Sequence, residues 1–394
     1  MNERRRIAVL TTGRQDWGLL EPLCEQLQKR QDIFELQLLG GGMALSHAHG
    51  NTIDTEIRAH GFEPAACLEW DVDNSPPFIQ AAAATEAVGK ALKSLAPEAL
   101  VLLGDRFETA AAALAATLQQ VPIIHLFGGE ETEGAFDNAL RHAITKMSHL
   151  HFVSHPLYAK RVLQMGEDPQ NVHTVGSLAV DNVAKTIASQ ETADDKNQSL
   201  LAIGDDLGVI LNRPLVLVTL HPTTLADEKK QKAEIDTAIE AMESFPATYI
   251  VTLPNADPAN AIIRKSFLEL SDRKDNIHCF SALGKNRYLR LLNLSDLVFG
   301  NSSSGMTEAP MLKIPTVNVG DRQKGRIRFP SIIDVEPTAT SIVQAFERAI
   351  SSEHKKKCEE MTAPFGDAAV ATRVADVLSD WHPPTPSRKT FIDR

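Results

Sequence analysis

Ile7-Ala8-Val9-Leu10 runs into Thr11-Thr12-Gly13-Arg14-Gln15-Asp16-Trp17-Gly18; Leu19, Leu20, Leu23 and Leu27 follow at helical spacing, and a second apolar run, Glu35–Leu39, closes in Gly40-Gly41-Gly42. A short apolar run bounded by polar and glycine residues reads as a buried strand, and the leucine spacing as the covering face of a helix. Strand, loop, helix, strand is the order of a parallel sheet with helices on its faces. The loop lacks the Gly-x-Gly-x-x-Gly pattern of a dinucleotide site. It does place Arg14 and Asp16 at the carboxyl end of the first strand, where open α/β sheets bind ligands.

The same pattern recurs along the chain. A helix is expected from Pro76 to Leu95 and a strand at Ala99–Leu103, ending in Gly104-Asp105-Arg106-Phe107-Glu108. An Ala-rich helix to about Gln120 precedes a strand at Val121–Leu126, which ends in Phe127-Gly128-Gly129-Glu130 and leads through Asp137 into a helix to Met147. Short strands follow at His151–Val153 and His173–Val175. A linker is expected within or just before the polar stretch from Thr186 to Asn212. A second alternating series has strands at Leu215–Leu220, Thr248–Leu253, Ile277–Phe280, Asp296–Phe299 and Thr316–Val319. Their ends carry His221-Pro222-Thr223-Thr224, Pro254-Asn255, Gly300-Asn301-Ser302-Ser303-Ser304-Gly305 and Gly320-Asp321-Arg322-Gln323-Lys324-Gly325-Arg326. A final helix is expected from Ala368 to about Trp381.

At 394 residues the chain exceeds what one core usually supports, so two domains are expected: 1–185 and 186–367, with 368–394 packing back on the first. A net charge of −11 offers no general field for a nucleic acid. Cys24, Cys67, Cys279 and Cys358 form no CxxC pair and read as reduced thiols. The amino-terminal apolar run is too short for a signal peptide or membrane span, so the expectation is a cytoplasmic protein with no membrane partner.

Several strand ends could do chemistry. Asp105 with Glu108 fits a capping box or a catalytic carboxylate beside Arg106. Asp137 and Arg141 are four apart and could pair on one helix face; alternatively the carboxylates from Glu130 to Asp137, with Arg141 and His142, could form an acid–base cluster. His221 stands on a loop at the ligand end. His149 and His151 lack the further ligands of a metal site. The Gly300–Gly305 loop reads either as a serine-capped βα turn or as an anion cradle with Glu308 one turn later. Arg322 and Arg326 could add positive charge there. Two facing sets of strand ends would line an interdomain cleft.

In this order and over nearly the whole chain, these motifs resemble the hydrolysing UDP-N-acetylglucosamine 2-epimerases of the bacterial sialic-acid branch. The resemblance implies a GT-B fold, two Rossmann-like domains with parallel sheets facing the cleft. It implies anti elimination of UDP from UDP-N-acetylglucosamine and syn hydration of the glycal to N-acetylmannosamine, with no cofactor or metal. Asp105, Glu130 and Asp137 would be the acid–base groups, with Arg106 and His221 beside them. Arg14, Asp16, Arg141, His142, Asn255, Tyr288, Ser302, Ser303, Ser304, Gly305, Glu308, Arg322 and Arg326 would bind the UDP-linked sugar. A homo-oligomer, dimer or tetramer, is implied as well. One residue departs from the pattern: Phe127 stands where many relatives carry a carboxylate. Either a neighbour such as Glu130 or Glu133 takes the place of that carboxylate, or the carboxylate is not essential in this branch, or the apolar replacement signals an alternative substrate, a UDP-linked 2,4-diacetamido-trideoxyhexose. A GT-B glycosyltransferase is the rival reaction class.

Overall fold

Ile7, Ala8 and Val9 are fully buried in β1 (Arg5–Thr11), because they lie in the middle of a sheet covered on both faces. The computed structural model describes residues 4–393 except 73, 132–136, 189–195, 222–227, 255–259, 282, 363 and 386. These residues fall into two units: one holds those from 4 to 131, 137 to 182 and 366 to 393, the other those from 183 to 365.

The first unit's sheet is built from β1, β2 (Phe34–Gly41), β3 (Ala66–Leu68), β4 (Ala99–Leu103), β5 (Ile123–Leu126), β6 (Leu150–Val153) and β7 (Val172–Thr174). All pairs are parallel, in the order β3-β2-β1-β4-β5-β6-β7. Its helices are α1 (Arg14–Lys29), α2 (Pro77–Leu95), α3 (Phe107–Leu118), α4 (Asp137–Met147) and α5 (Pro156–Gln164). The alanines Ala112, Ala113, Ala115 and Ala116 of α3 are buried, so α3 packs closely against α2 and the sheet. Helix α6 (Leu178–Ala188) carries the chain from the first unit into the second.

The second unit contains α7 (Lys196–Leu207), β8 (Leu215–Thr219), α8 (Glu228–Ser244), β9 (Thr248–Thr252), α9 (Ala261–Ser271), β10 (Ile277–Phe280) and α10 (Gly284–Leu294). It continues through β11 (Leu297–Gly300), α11 (Glu308–Met311), β12 (Thr316–Val319), β13 (Ile332–Val335), α12 (Ala339–Ile350) and α13 (Ser352–Glu359). Its sheet is also parallel, in the order β10-β9-β8-β11-β12-β13. Helix α14 (Val370–Asp380) belongs to the first unit. It buries Val370, Val374 and Leu378 beside α1, and the Asp181 carboxylate accepts the Val370 and Ala371 N–H groups at 2.9 and 2.7 Å, a cap supplied from another helix. No helix among the described residues is long and apolar enough to cross a membrane.

Three features depart from the sequence reading. Within the stretch expected to hold a linker, Lys196–Leu207 is helical, because Leu200 and Ile203 dock with Leu211 and Leu215 in a buried cluster. The edge strands β3 and β13 were not expected; three residues in one case and a mixed Ile-Ile-Asp-Val run in the other carry little pattern. Residues Ile53–Arg58 form a π-helix, a rare conformation that no side-chain periodicity announces.

In each sheet the strand order reverses once, between β1 and β4 and between β8 and β11. The carboxyl ends of such neighbouring strands leave an open crevice.

Candidate active site

In the first unit, Gly104-Asp105-Arg106 leaves β4 beside the β1–α1 loop. Asp105 forms an ion pair with Arg141 on the second turn of α4, whose side chain is 5% exposed. Arg141 also reaches Asn138 Oδ1 at 3.4 Å. The expected i,i+4 pair of Asp137 with Arg141 is therefore not the one formed: the guanidinium points to the neighbouring strand end. The capping box is likewise absent. Arg106 occupies the N-cap of α3 without a side-chain cap, and Glu108 instead accepts Arg106 Nη2 at 2.6 Å. Glu108 is 2% exposed, so a charged partner is what makes its burial tolerable.

Asp137 opens α4. Burial, and then the nearby Asp105 charge, hold its carboxyl above the usual aspartate value, against Arg141 and Arg106, which pull it down. Two carboxyls in one electrostatic neighbourhood, one ion-paired and one raised, are suited to different proton-transfer roles. Glu130 accepts the hydroxyl of buried Ser154 at 2.9 Å. His142 lies 3.8 Å from Glu131, which also accepts Asn138 Nδ2 at 2.7 Å.

Asp16 is buried and accepts the Thr12 hydroxyl at 2.6 Å and the Thr12 N–H at 3.2 Å. Its carboxyl is raised by burial and drawn down by Arg106. It shapes the β1–α1 loop. Arg14 is half-exposed and paired with Glu56 of the π-helix.

In the second unit, Gly300 ends β11 at φ 138°, and a β-carbon there would lie 2.0 Å from the Thr219 carbonyl oxygen. Only glycine lets this strand end pass so close to β8. The loop beyond it does not open a long helix. Ser303–Gly305 is one 3-10 turn, with the Ser302 hydroxyl accepting the Ser304 N–H at 3.3 Å, and α11 has four residues. Asn301 ties three loops together. Its Oδ1 accepts the His221 N–H at 2.8 Å and its Nδ2 donates to the His221 carbonyl at 2.9 Å. Its own carbonyl takes Arg322 Nη1 at 2.9 Å and Gln323 Nε2 at 2.8 Å.

Burial, helped by the Arg322 charge, lowers His221 to about 4, so its imidazole is neutral. Burial likewise lowers Arg322, with Arg326 beside it. The Tyr288 hydroxyl is buried near Ser304, Thr219 and Glu308 and is pushed upward chiefly by that burial. Glu308 accepts the Thr307 hydroxyl. A cavity of about 510 Å³ opens over these strand ends, lined by His221, Asn301, Gly320, Asp321, Lys324 and Arg328 among others. Asn255, Glu133 and the Pro222-Thr223-Thr224 segment lie outside the described residues.

Three residues of these sites escaped the sequence reading. Asn301 sits inside the quoted Gly300–Gly305 stretch, but only its bonds to His221 reveal its role. Ser154 and His125 lie at or near strand ends, and nothing in their spacing marks them. His125 is fully buried, with Nε2 2.8 Å from the Gly104 carbonyl and Nδ1 3.1 Å from the Thr145 hydroxyl.

The chain is similar to known proteins over most of its length. The model of a family described as UDP-N-acetylglucosamine 2-epimerase matches residues 25–379. A Campylobacter jejuni protein named GDP/UDP-N,N'-diacetylbacillosamine 2-epimerase (hydrolyzing) is 37% identical over 363 residues, covering 90% of this chain and 89% of that one. The Escherichia coli polysialic acid biosynthesis protein P7 is 31% identical over 357 residues, covering 89% and 87%. The crystal structure of the Neisseria meningitidis UDP-GlcNAc 2-epimerase bound to UDP-GlcNAc superimposes with a TM-score of 0.83 at 17% identity, over 95% of this chain and all of that one. The last likeness concerns the fold, two parallel-sheet α/β units of GT-B type.

Proposed function

The chain belongs to the UDP-N-acetylglucosamine 2-epimerase family, and from that premise we propose that it is a hydrolysing 2-epimerase. It would convert a UDP-linked 2-acetamido sugar and water into UDP and the free 2-epimer. The observation that carries this reading is the Asp105–Asp137 neighbourhood, where Arg141 engages one carboxylate while burial and the other carboxylate raise the second.

Inversion at C2 needs one group to take a proton from one face of the sugar and another to return a proton on the opposite face. A single carboxylate cannot do both without turning the substrate over. Asp137, a stronger base than an ordinary aspartate by virtue of its raised value, takes the C2 proton as the C1–O bond breaks. The bonding pair leaves with UDP, and a C1=C2 double bond forms. Water then adds its oxygen to C1 and gives up a proton to a carboxylate on the other face, Asp105 or Glu130, which passes that proton to C2. The diphosphate leaving group is held by the Ser302–Gly305 turn with neutral His221 and Arg322, and Glu308 takes the ribose hydroxyls. The enzyme would act as a homo-oligomer in the cytoplasm.

Two substrates fit this chemistry. UDP-N-acetylglucosamine would yield N-acetylmannosamine. The 2,4-diacetamido-trideoxy analogue is favoured by Phe127, a half-buried apolar residue at the end of β5 that adopts φ 65°, and by the substrate named for the Campylobacter jejuni relative. A bulky side chain at positive φ is rare enough to suggest selection for what it contacts.

NMR of products formed in deuterated water, with both UDP-sugars offered in parallel, tests the proposal. Free 2-epimer carrying deuterium at C2, together with UDP, is the expected result. Epimer still attached to UDP would mean a non-hydrolysing enzyme. Product formation only with an added acceptor and without C2 label would mean a glycosyltransferase.

A further inference from the structure

The end of α4 remote from Asp137 is gripped by the last residues of the chain. Lys389 Nζ donates to the carbonyls of Thr145, at 2.9 Å, and Ser148, which close α4. It also pairs with Glu167 Oε2 at 2.6 Å. Glu167 is 2% exposed and receives Lys146 Nζ at 2.7 Å and His151 Nε2 at 2.9 Å. On either side of Lys389 the tail is tied again. His149 Nδ1 accepts the Ile123 N–H, so its Nε2–H donates to Ser387 Oγ at 3.0 Å. The Ile392 N–H donates to the Gly166 carbonyl at 3.0 Å. The Phe391 ring covers Gly166, where a β-carbon would lie 2.4 Å from it, and takes Lys146 Nζ 4.8 Å from its centroid.

Thr145 is held from a second side. The Gly104 carbonyl can only accept, so His125 carries its proton on Nε2, and Nδ1 accepts the Thr145 hydroxyl. His125 therefore joins α4 to the residue just before Asp105, and Lys389 closes the same turn of α4 from below. An eleven-residue helix is about 16 Å long and stiff, so a shift at one end is carried to the other.

We infer that Lys389 is a positioning residue: by closing the last turn of α4 onto the Glu167 cluster, the carboxyl-terminal tail sets where Asp137 and Arg141 stand relative to Asp105. Lys389 itself touches no reacting atom. The inference rests on the reading of Asp105, Asp137 and Arg141 given under Proposed function. Among the described residues, the cluster around Ala8, Leu100, Leu102 and the α3 alanines holds no residue of the tail, so its loss leaves that cluster in place.

The test compares the full chain, Lys389→Met, Lys389→Arg and a chain ending at residue 386, measuring UDP release, UDP affinity and amide exchange. Lys389→Met and the shortened chain should lose kcat by about 10- to 100-fold, the cost of a misplacement near 1 Å, with UDP affinity within about 2-fold. Lys389→Arg should recover most of it, and a synthetic peptide of residues 383–394 should restore the shortened chain. Amide exchange should quicken along Asp137–Met147 in Lys389→Met. Unchanged kcat in the shortened chain, or unchanged exchange in α4, overturns the inference. A parent chain that releases no UDP from either sugar nucleotide sinks the functional reading instead, and the exchange measurement still decides the role of Lys389.

Discussion

Arg141 is ion-paired with Asp105, 36 positions away at the end of β4, and not with Asp137 one turn before it on the same helix. This pairing fixes one carboxylate of the first unit, while burial and the Asp105 charge raise the other above the usual aspartate value. It follows that Arg141→Met strands a partly buried carboxylate. Breaking such a pair should cost roughly 3 kcal/mol of stability, read from urea denaturation, together with nearly all turnover. Arg141→Lys should retain part of the stability but little of the activity, because a point charge cannot span Asp105 and Asn138.

Asp137→Asn should abolish turnover while leaving UDP affinity intact. Because burial and Asp105 raise Asp137, the acid limb of kcat/KM should lie above the ordinary aspartate value of 3.8. Asp105→Asn, which removes the like charge, should move that limb to lower pH in any residual activity. Near-normal turnover by Asp137→Asn would remove this residue from the mechanism. The same variant should be slightly more stable than the parent at pH 7, since a carboxylate whose ionisation the fold disfavours has been replaced by a neutral group.

Gly300→Ala should be severely destabilising. Its β-carbon would meet the Thr219 carbonyl at 2.0 Å, and the φ of 138° is one that side chains rarely adopt. Backbone must move on both β8 and β11, so a loss of about 3 kcal/mol is expected in thermal or urea unfolding. UDP affinity should fall with it, because the displaced turn carries Asn301 and with it the His221 loop.

Acid should weaken the first unit through Glu167. Burial would raise this carboxyl, but hydrogen bonds from His151, Lys146 and Lys389 outweigh it and bring it down from 4.5 to about 2. The folded value lies below the unfolded one, so the stabilisation is complete above about pH 4.5 and is lost as the pH falls towards 2. Up to about 3 kcal/mol is involved. Unfolding free energies measured between pH 6 and 2.5 should show this slope in the parent. In Glu167→Gln the slope should be shallower and the stability at pH 6 lower.

The alternation of apolar runs with helical spacing determined two parallel α/β units, because strand and helix periods are local properties of the chain. Glycine-rich and charged clusters at strand ends marked Gly104–Arg106, Glu130, His221 and Gly300–Gly305 as the places to look, since a parallel sheet collects its carboxyl ends on one side. The short edges β3 and β13 had too few residues to show a period. Tertiary structure alone decided the partners. Whether Arg141 meets Asp137 or Asp105 depends on which strand end lies beside α4. The bond between His125 and Gly104 depends on the adjacency of β4 and β5. The closure of α4 by Lys389 joins residues more than 240 positions apart. Pairing of this kind follows from strand order and burial, which no local pattern encodes.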